Sequence, residues 1–215
     1  MRNILKMVIS IILSLLIIGA VPVKSKENLK SFQNIEAKVI ENTDFIQNGI
    51  KVEYITSKPI DDEGLRIYEI LKEEFDGDIK VEGNTIFLRD SVKQIKVIVW
   101  SDNENTKVQI IYMNNSKTNS TSFIRDELVK VQDISAKNIK YFDFIKVKII
   151  QDKKQNVLEI LEENIDKKTL ETLDIYNGSV GKSKLYDGNK INIGIVKYTT
   201  GEYLVIGTPV IFVTY

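Results

Sequence analysis

Neither cysteine nor histidine occurs anywhere in the 215 residues, and the chemistry this removes is broad. Without thiols or imidazoles there are no disulfides, no thiolate nucleophile and no Cys/His zinc site. There is also no histidine general base and no Ser-His-Asp triad. Only carboxylate, lysine, tyrosine or paired serine-lysine chemistry is left, and the body must be held by its core alone. An excess of one charge is missing too, with 30 basic and 30 acidic residues. Removing residues 1–25 takes away Arg2, Lys6 and Lys24 and no acid, leaving 27 basic against 30 acidic residues. A phosphate-gripping protein carries a clear basic excess, so nucleic acid is not an expected partner. The 43% apolar and 28% charged residues match ordinary globular domains, which argues against disorder and against a many-span membrane protein.

What is present begins with a leader. Arg2 and Lys6 precede Met7 to Val23, a run with no charge that ends beside Pro22. A basic start, an apolar run and small residues near Ser25 have the form of a signal peptide cut after Ser25, with a second candidate site near Ala20. The same 1–25 segment can instead serve as a membrane anchor, although 17 uncharged residues are marginal for spanning hydrocarbon. In both readings the body is extracytoplasmic, secreted or held at the outer face of the cytoplasmic membrane. No Cys follows, so it is not a lipoprotein.

The body reads as α+β. Leu29, Phe32, Ile35, Val39 and Ile40 recur at helical spacing, Asn48-Gly49 marks a turn, and Ile50 to Thr56 alternates as a strand. Pro59 and Asp61-Asp62-Glu63 open a helix whose apolar stripe is Leu65, Tyr68, Leu71 and Phe75, ending at Asp76-Gly77. Strands follow at 79–88, broken at Gly83-Asn84, at 94–100 and at 107–113, with a turn at Asn103 to Asn105. The polar stretch Asn114 to Ser122 separates two halves, 26–117 and 118–215. Thr121 or Ser122 then caps a helix through Ile124, Leu128, Val131 and Ile134, and Tyr141 to Ile150 is a strand. Val157 to Ile165 is a helix, and Asp166 caps a short helix through Leu170 and Leu173. Strands are expected at 180–186, 190–199, 203–206 and 210–215, with turns at Asp187-Gly188 and Thr200-Gly201.

Shifted by 90 positions, residues 52–75 align with 142–165 without a gap. Val52 to Ile55 meets Phe142 to Ile145, and IYEILKEEF (67–75) meets VLEILEENI (157–165). This predicts a duplicated β-α-β-β-β unit, forming a curved antiparallel sheet with helices on one face and the other face free for a partner.

The short motifs carry little chemistry. Gly178 to Ser183 (GSVGKS) resembles a phosphate-binding loop but has Tyr176 where the first glycine belongs and no helix after it. Ser179 and Lys182 have S-x-x-K spacing without the helix or partner motifs of that chemistry. The acids at Asp61 to Glu63, at Glu73, Glu74, Asp76 and Asp78, and at Glu162 and Glu163 read as caps and wet faces. Asp76-Gly77-Asp78 lacks the later ligands of a calcium loop. Asn114, Asn119 and Asn177 begin N-x-Ser/Thr triplets that mark exposed turns. Trp100, Tyr112, Phe142, Phe144 and Phe212 are core aromatics on strands, except that whichever of Trp100 or its alternate neighbours faces outward is a candidate interface contact. No catalytic, cofactor-binding or metal-binding residue is assigned.

The leader, the missing Cys and His, the strand GIKVEYI (Gly49 to Ile55), the acidic helix start at Asp61 to Glu63 and the repeated unit together resemble the YwmB family of exported proteins from spore-forming Gram-positive bacteria. The resemblance covers most of 35–215. It implies a duplicated fold similar to the TATA-box-binding fold and no established activity or cofactor, and the DNA-binding connotation of that fold is not carried over. The expected function is a non-enzymatic binding or assembly module of the envelope, facing a protein or wall component, in sporulation or wall synthesis. The alternative is a carboxylate-based wall hydrolase, which needs two acids converging in a cleft. A regulatory domain sensing a small ligand is a third reading, which a deep apolar pocket would favour.

Overall fold

A computed structural model describes residues 29–213; the 1–25 leader lies outside the described residues. The class is α+β, with four α-helices and ten strands whose described pairings are all antiparallel. The first half runs α1 (Leu29–Glu41), β1 (Thr43–Thr56), α2 (Ile60–Glu74), β2 (Asp78–Glu82), β3 (Thr85–Arg89), β4 (Lys93–Asp102) and β5 (Asn105–Asn114). The second runs α3 (Thr121–Val131), β6 (Lys137–Ile149), α4 (Lys154–Asn164), β7 (Glu171–Ile175), β8 (Gly178–Lys184), β9 (Lys190–Tyr198) and β10 (Gly201–Thr208). The expected β-α-β-β-β repeat is therefore framed by a leading helix and carries four strands after its second helix.

The repeated helices bury the same positions. Ile67, Leu71 and Phe75 are at most 6% exposed, as are Val157, Leu161 and Ile165. Both helices stop alike, with Phe75 N–H donating to Leu71 C=O and Ile165 N–H to Leu161 C=O, each at 3.2 Å. Beyond α2 the chain turns at Gly77, whose φ of +141° favours glycine and whose Cβ would lie 2.8 Å from Arg89 C=O.

The chain forms two compact units, 48–141 and a second made of the preceding residues with 142–215. They differ from the sequence halves 26–117 and 118–215, because the leading helices are exchanged. In the unit 48–141 the strand order is β2-β3-β4-β5-β1. Its core joins Ile50, Val52, Leu88, Val97 and Ile110 to α2, and also to Ile124, Leu128 and Val131 of α3. In the other unit the order is β6-β10-β9-β8-β7. There Phe32, Ile35 and Val39 of α1 join Val157 and Leu161 of α4 over Ile145, Ile193 and Leu204. Each half's first helix thus covers the strands of the other half. No described helix is long and apolar enough to cross a membrane.

Several expectations are corrected. Asn48-Gly49 is no turn but lies inside β1, where Asn48 is fully buried. Its Nδ2 donates to Asn119 C=O at 2.7 Å and its Oδ1 accepts from Asn114 Nδ2 at 2.7 Å. Asn114 is thereby also buried rather than an exposed turn marker. Ser120, not Thr121 or Ser122, caps α3 by accepting from Phe123 N–H, and the helix stops before Ile134, which is fully exposed. Asp166 caps only one 3-10 turn, and Leu173 sits in strand β7. Residues 210–213 form no strand; Phe212 instead packs edge-on against Phe144 at 5.0 Å.

Candidate functional site

In the unit 48–141, α2 and α3 cover one sheet face and the strand registers define the other. Period-two alternation sends Val97 and Val99 to the core and therefore sends Lys96, Ile98 and Trp100 to the opposite face. Across that face one row reads Lys51, Ile111, Lys96, Phe87 and Lys80. The next reads Glu53, Gln109, Ile98, Thr85 and Glu82, and a third Ile55, Lys107 and Trp100. These side chains are half-buried or exposed, so an apolar strip of Phe87, Ile98, Ile111 and Trp100 is interleaved with charge. Towards β2 the face dips into a concavity of about 620 Å3 lined by Lys80, Glu82, Phe87, Arg89 and Gln94, among others.

The polar groups of the face are largely paired with each other. Lys51 Nζ lies 2.8 Å from Glu53 Oε1, which also accepts from Gln109 Nε2 at 2.9 Å. Half-burial pushes the Glu53 carboxyl up, but Lys51 and Gln109 outweigh it and hold it below its usual range. Lys80 pairs with Glu82 and Lys107 with Asp102, while the Lys96 ammonium sits 5.6 Å from the centre of the Phe87 ring. Such a face offers aromatic and aliphatic surface between fixed charges, which suits recognition of an extended partner.

On the helix side lies a buried charge cluster that the sequence reading missed. Glu63, expected on a wet acidic cap, is fully buried. Its carboxylate accepts from Arg66 Nε at 2.8 Å and Nη2 at 2.7 Å, and from the Tyr54 hydroxyl at 2.8 Å. Arg66 Nη2 also donates to Val131 C=O at 2.8 Å, which ties the end of α3 to α2. Asp133, with no exposed side-chain surface, pairs with Lys58 at 2.7 Å and faces Arg66 Nε at 3.9 Å. Burial pushes the Asp133 carboxyl up, yet the Lys58 ammonium and the Ser135 N–H hold it far below the carboxylate range. Burial and the adjacent Glu63 push the Tyr54 phenol well above its ordinary value. A sequence signal for Glu63 did exist, since it lies four residues before Ile67 and eight before Leu71, on the buried stripe. Leu65, assigned to that stripe, is 62% exposed.

No family model matches the chain. No curated protein matches it either. Among solved structures, DynU16, a protein of the dynemicin biosynthetic locus, aligns over 74% of this chain and 86% of its own. The identity is 7% and the TM-score 0.26, too distant a likeness to carry a functional argument.

GSVGKS is not a loop but strand β8. Ser179 is fully buried while exposed Lys182 pairs with Glu171 at 2.8 Å. Three positions apart on a strand, Ser179 and Lys182 point to opposite faces and cannot share a proton. Gly178 is required by close approach, since a Cβ there would lie 2.2 Å from Ile195 C=O. Asp61, Asp62, Glu73, Glu74, Asp76, Asp78 and Glu163 are exposed and Glu162 half-buried. Among the described residues no group of three acids could hold a metal ion. Tyr112 is core, edge-on to Phe75 at 6.4 Å, and Phe144 is fully buried while Phe142 is half-buried.

Proposed function

We propose that this chain is an exported, non-enzymatic binding or assembly module of the cell envelope, of the kind its YwmB-like sequence features suggest. It uses the open face of the β2-β3-β4-β5-β1 sheet to hold a protein or wall component, in sporulation or wall synthesis. The observation that carries this reading is the strip of Phe87, Ile98, Ile111 and Trp100 facing away from the helices, between side chains whose charges are largely matched, with Lys96 held over the Phe87 ring. Matched charge keeps the face from adhering to arbitrary ions, and large half-buried aromatics supply contact area at little entropic cost.

Co-sedimentation with purified cell-wall sacculi and pull-down from envelope extracts test the proposal. Trp100→Ala, at the only tryptophan of the chain, is expected to weaken capture at least about ten-fold, the loss typical of an aromatic anchor. Capture unaffected by Trp100→Ala and Ile98→Asp together, or soluble glycan fragments released on incubation with sacculi, would overturn it.

A further inference from the structure

A second surface of the unit 48–141 is independent of the open face. Between α2 and the β2–β3 hairpin lies a cleft of about 340 Å3 whose walls are Ile60, Leu65, Tyr68, Val81, Ile86 and Val99. Leu65 and Val81 are 62% and 53% exposed, so the cleft presents apolar surface to water on both walls. Gly64 also lines it. Glycine inside a helix is less favourable than alanine because it loses more backbone freedom on folding. Nothing in the fold demands it at this position, since a Cβ on Gly64 would meet no atom within 4 Å and its φ is not positive. The missing side chain leaves room in the cleft.

Charge at the lip narrows the occupant. Asp61 lines the cleft and Asp62 follows it; both are exposed and neither has an ion-pair partner among the described residues. The amides of the α2 N-terminus offset only about half a unit of charge, and the Lys72 ammonium, 6.0 Å from the centre of the Tyr68 ring, stands at the opposite end of the α2 wall, so two carboxylates leave the lip negative at the Asp61 end. We infer that this cleft receives apolar side chains of a partner polypeptide presented beside lysine or arginine, the apolar groups entering over Gly64 and the cation meeting Asp61 and Asp62. Burial supplies the affinity, and the lip selects basic over acidic sequences.

The probes are two labelled peptides of alternating leucine, one with lysine and one with glutamate, titrated into the full-length protein with fluorescence anisotropy as the readout. The lysine peptide is expected to bind at least ten-fold more tightly than the glutamate peptide. Gly64→Leu, whose Cβ meets no atom within 4 Å and whose methyl groups occupy the cleft, should weaken it at least ten-fold while the melting temperature is kept. Asp61→Asn with Asp62→Asn should weaken it and flatten its salt dependence. Amide shifts on binding should centre on Gly64, Leu65 and Val81. The inference is overturned by no binding of the lysine peptide, by equal binding of both peptides, by a Gly64→Leu protein that binds unchanged, or by shifts centred on Ile98 and Trp100. Displacement of the peptide by decanoate at lower concentration than by unlabelled peptide would also overturn it, marking an acyl-chain site instead.

Discussion

Glu63→Gln isolates one charge in the buried cluster and leaves the shape of the side chain intact. In the parent, the fully buried carboxylate holds a two-pronged bond to Arg66, whose side chain is 21% exposed. Removing one partner of a buried ion pair costs about 3–5 kcal/mol because the other charge is left uncompensated. Arg66 keeps Val131 C=O at 2.8 Å and Asp133 at 3.9 Å and reaches some water, so the expected loss is smaller, about 2–4 kcal/mol. For a domain of this size that lowers the melting temperature by roughly 5–15 °C. Arg66→Met should cost more than Glu63→Gln, because the carboxylate it strands has no access to water. The double variant Glu63→Leu with Arg66→Met should recover only part of the loss, since an apolar pair of similar volume needs no desolvation but leaves the Tyr54 hydroxyl and Val131 C=O without their partners. Thermal melts followed by circular dichroism at neutral pH give all four values. A Glu63→Gln protein melting within about 2 °C of the parent, or an Arg66→Met protein more stable than it, refutes the assignment of the cluster as the bond between α2 and α3.

Asp133, whose carboxyl is held far below the usual range in the folded state, adds stability that is fully present above its unfolded value near pH 4. That contribution is lost only as pH falls from there towards the folded value; acid titration of the melt should therefore be shallower below about pH 4 in Asp133→Asn than in the parent. Gly64→Ala should raise stability by about 0.4–1 kcal/mol, since the native backbone admits alanine and the unfolded chain loses freedom; a destabilised variant in urea melts counts against the open space seen there. Gly178→Ala, with its Cβ 2.2 Å from Ile195 C=O, should lose more than about 2 kcal/mol by urea denaturation. Ile35→Asp in α1 should raise amide exchange in β9 and β10 while leaving β4 and β5 protected, because its contacts lie in the core that those two strands share.

Periodicity made the four helices and most strands legible, because their burial follows the simple rule of apolar stripes. It failed where a distant side chain outweighed local preference. Asn48-Gly49 has turn composition, yet Asn114 and Asn119 satisfy the Asn48 amide inside β1. The apolar spacing of Leu170 and Leu173 suggested a helix, but Glu171 to Ile175 pairs with β8, and ladder bonds override a short propensity. Phe212 reads as strand and is used as a lid on Phe144. The outward face of Trp100 follows from alternation alone, whereas the cleft at Gly64 needs the β2–β3 hairpin brought against α2, which no local pattern announces. Glu63 looked wet beside Asp61 and Asp62, and only its phase with Ile67 and Leu71 separates it from them.

The exchange of leading helices orders events during synthesis. Residues 48–141 are contiguous and can close as soon as α3 has emerged. The oily side of α1, made earlier, must wait for β9 and β10 before Phe32, Ile35 and Val39 find their seat. Until then α1 is a bare amphipathic helix on the nascent chain, its apolar stripe uncovered while the whole of 48–141 is made.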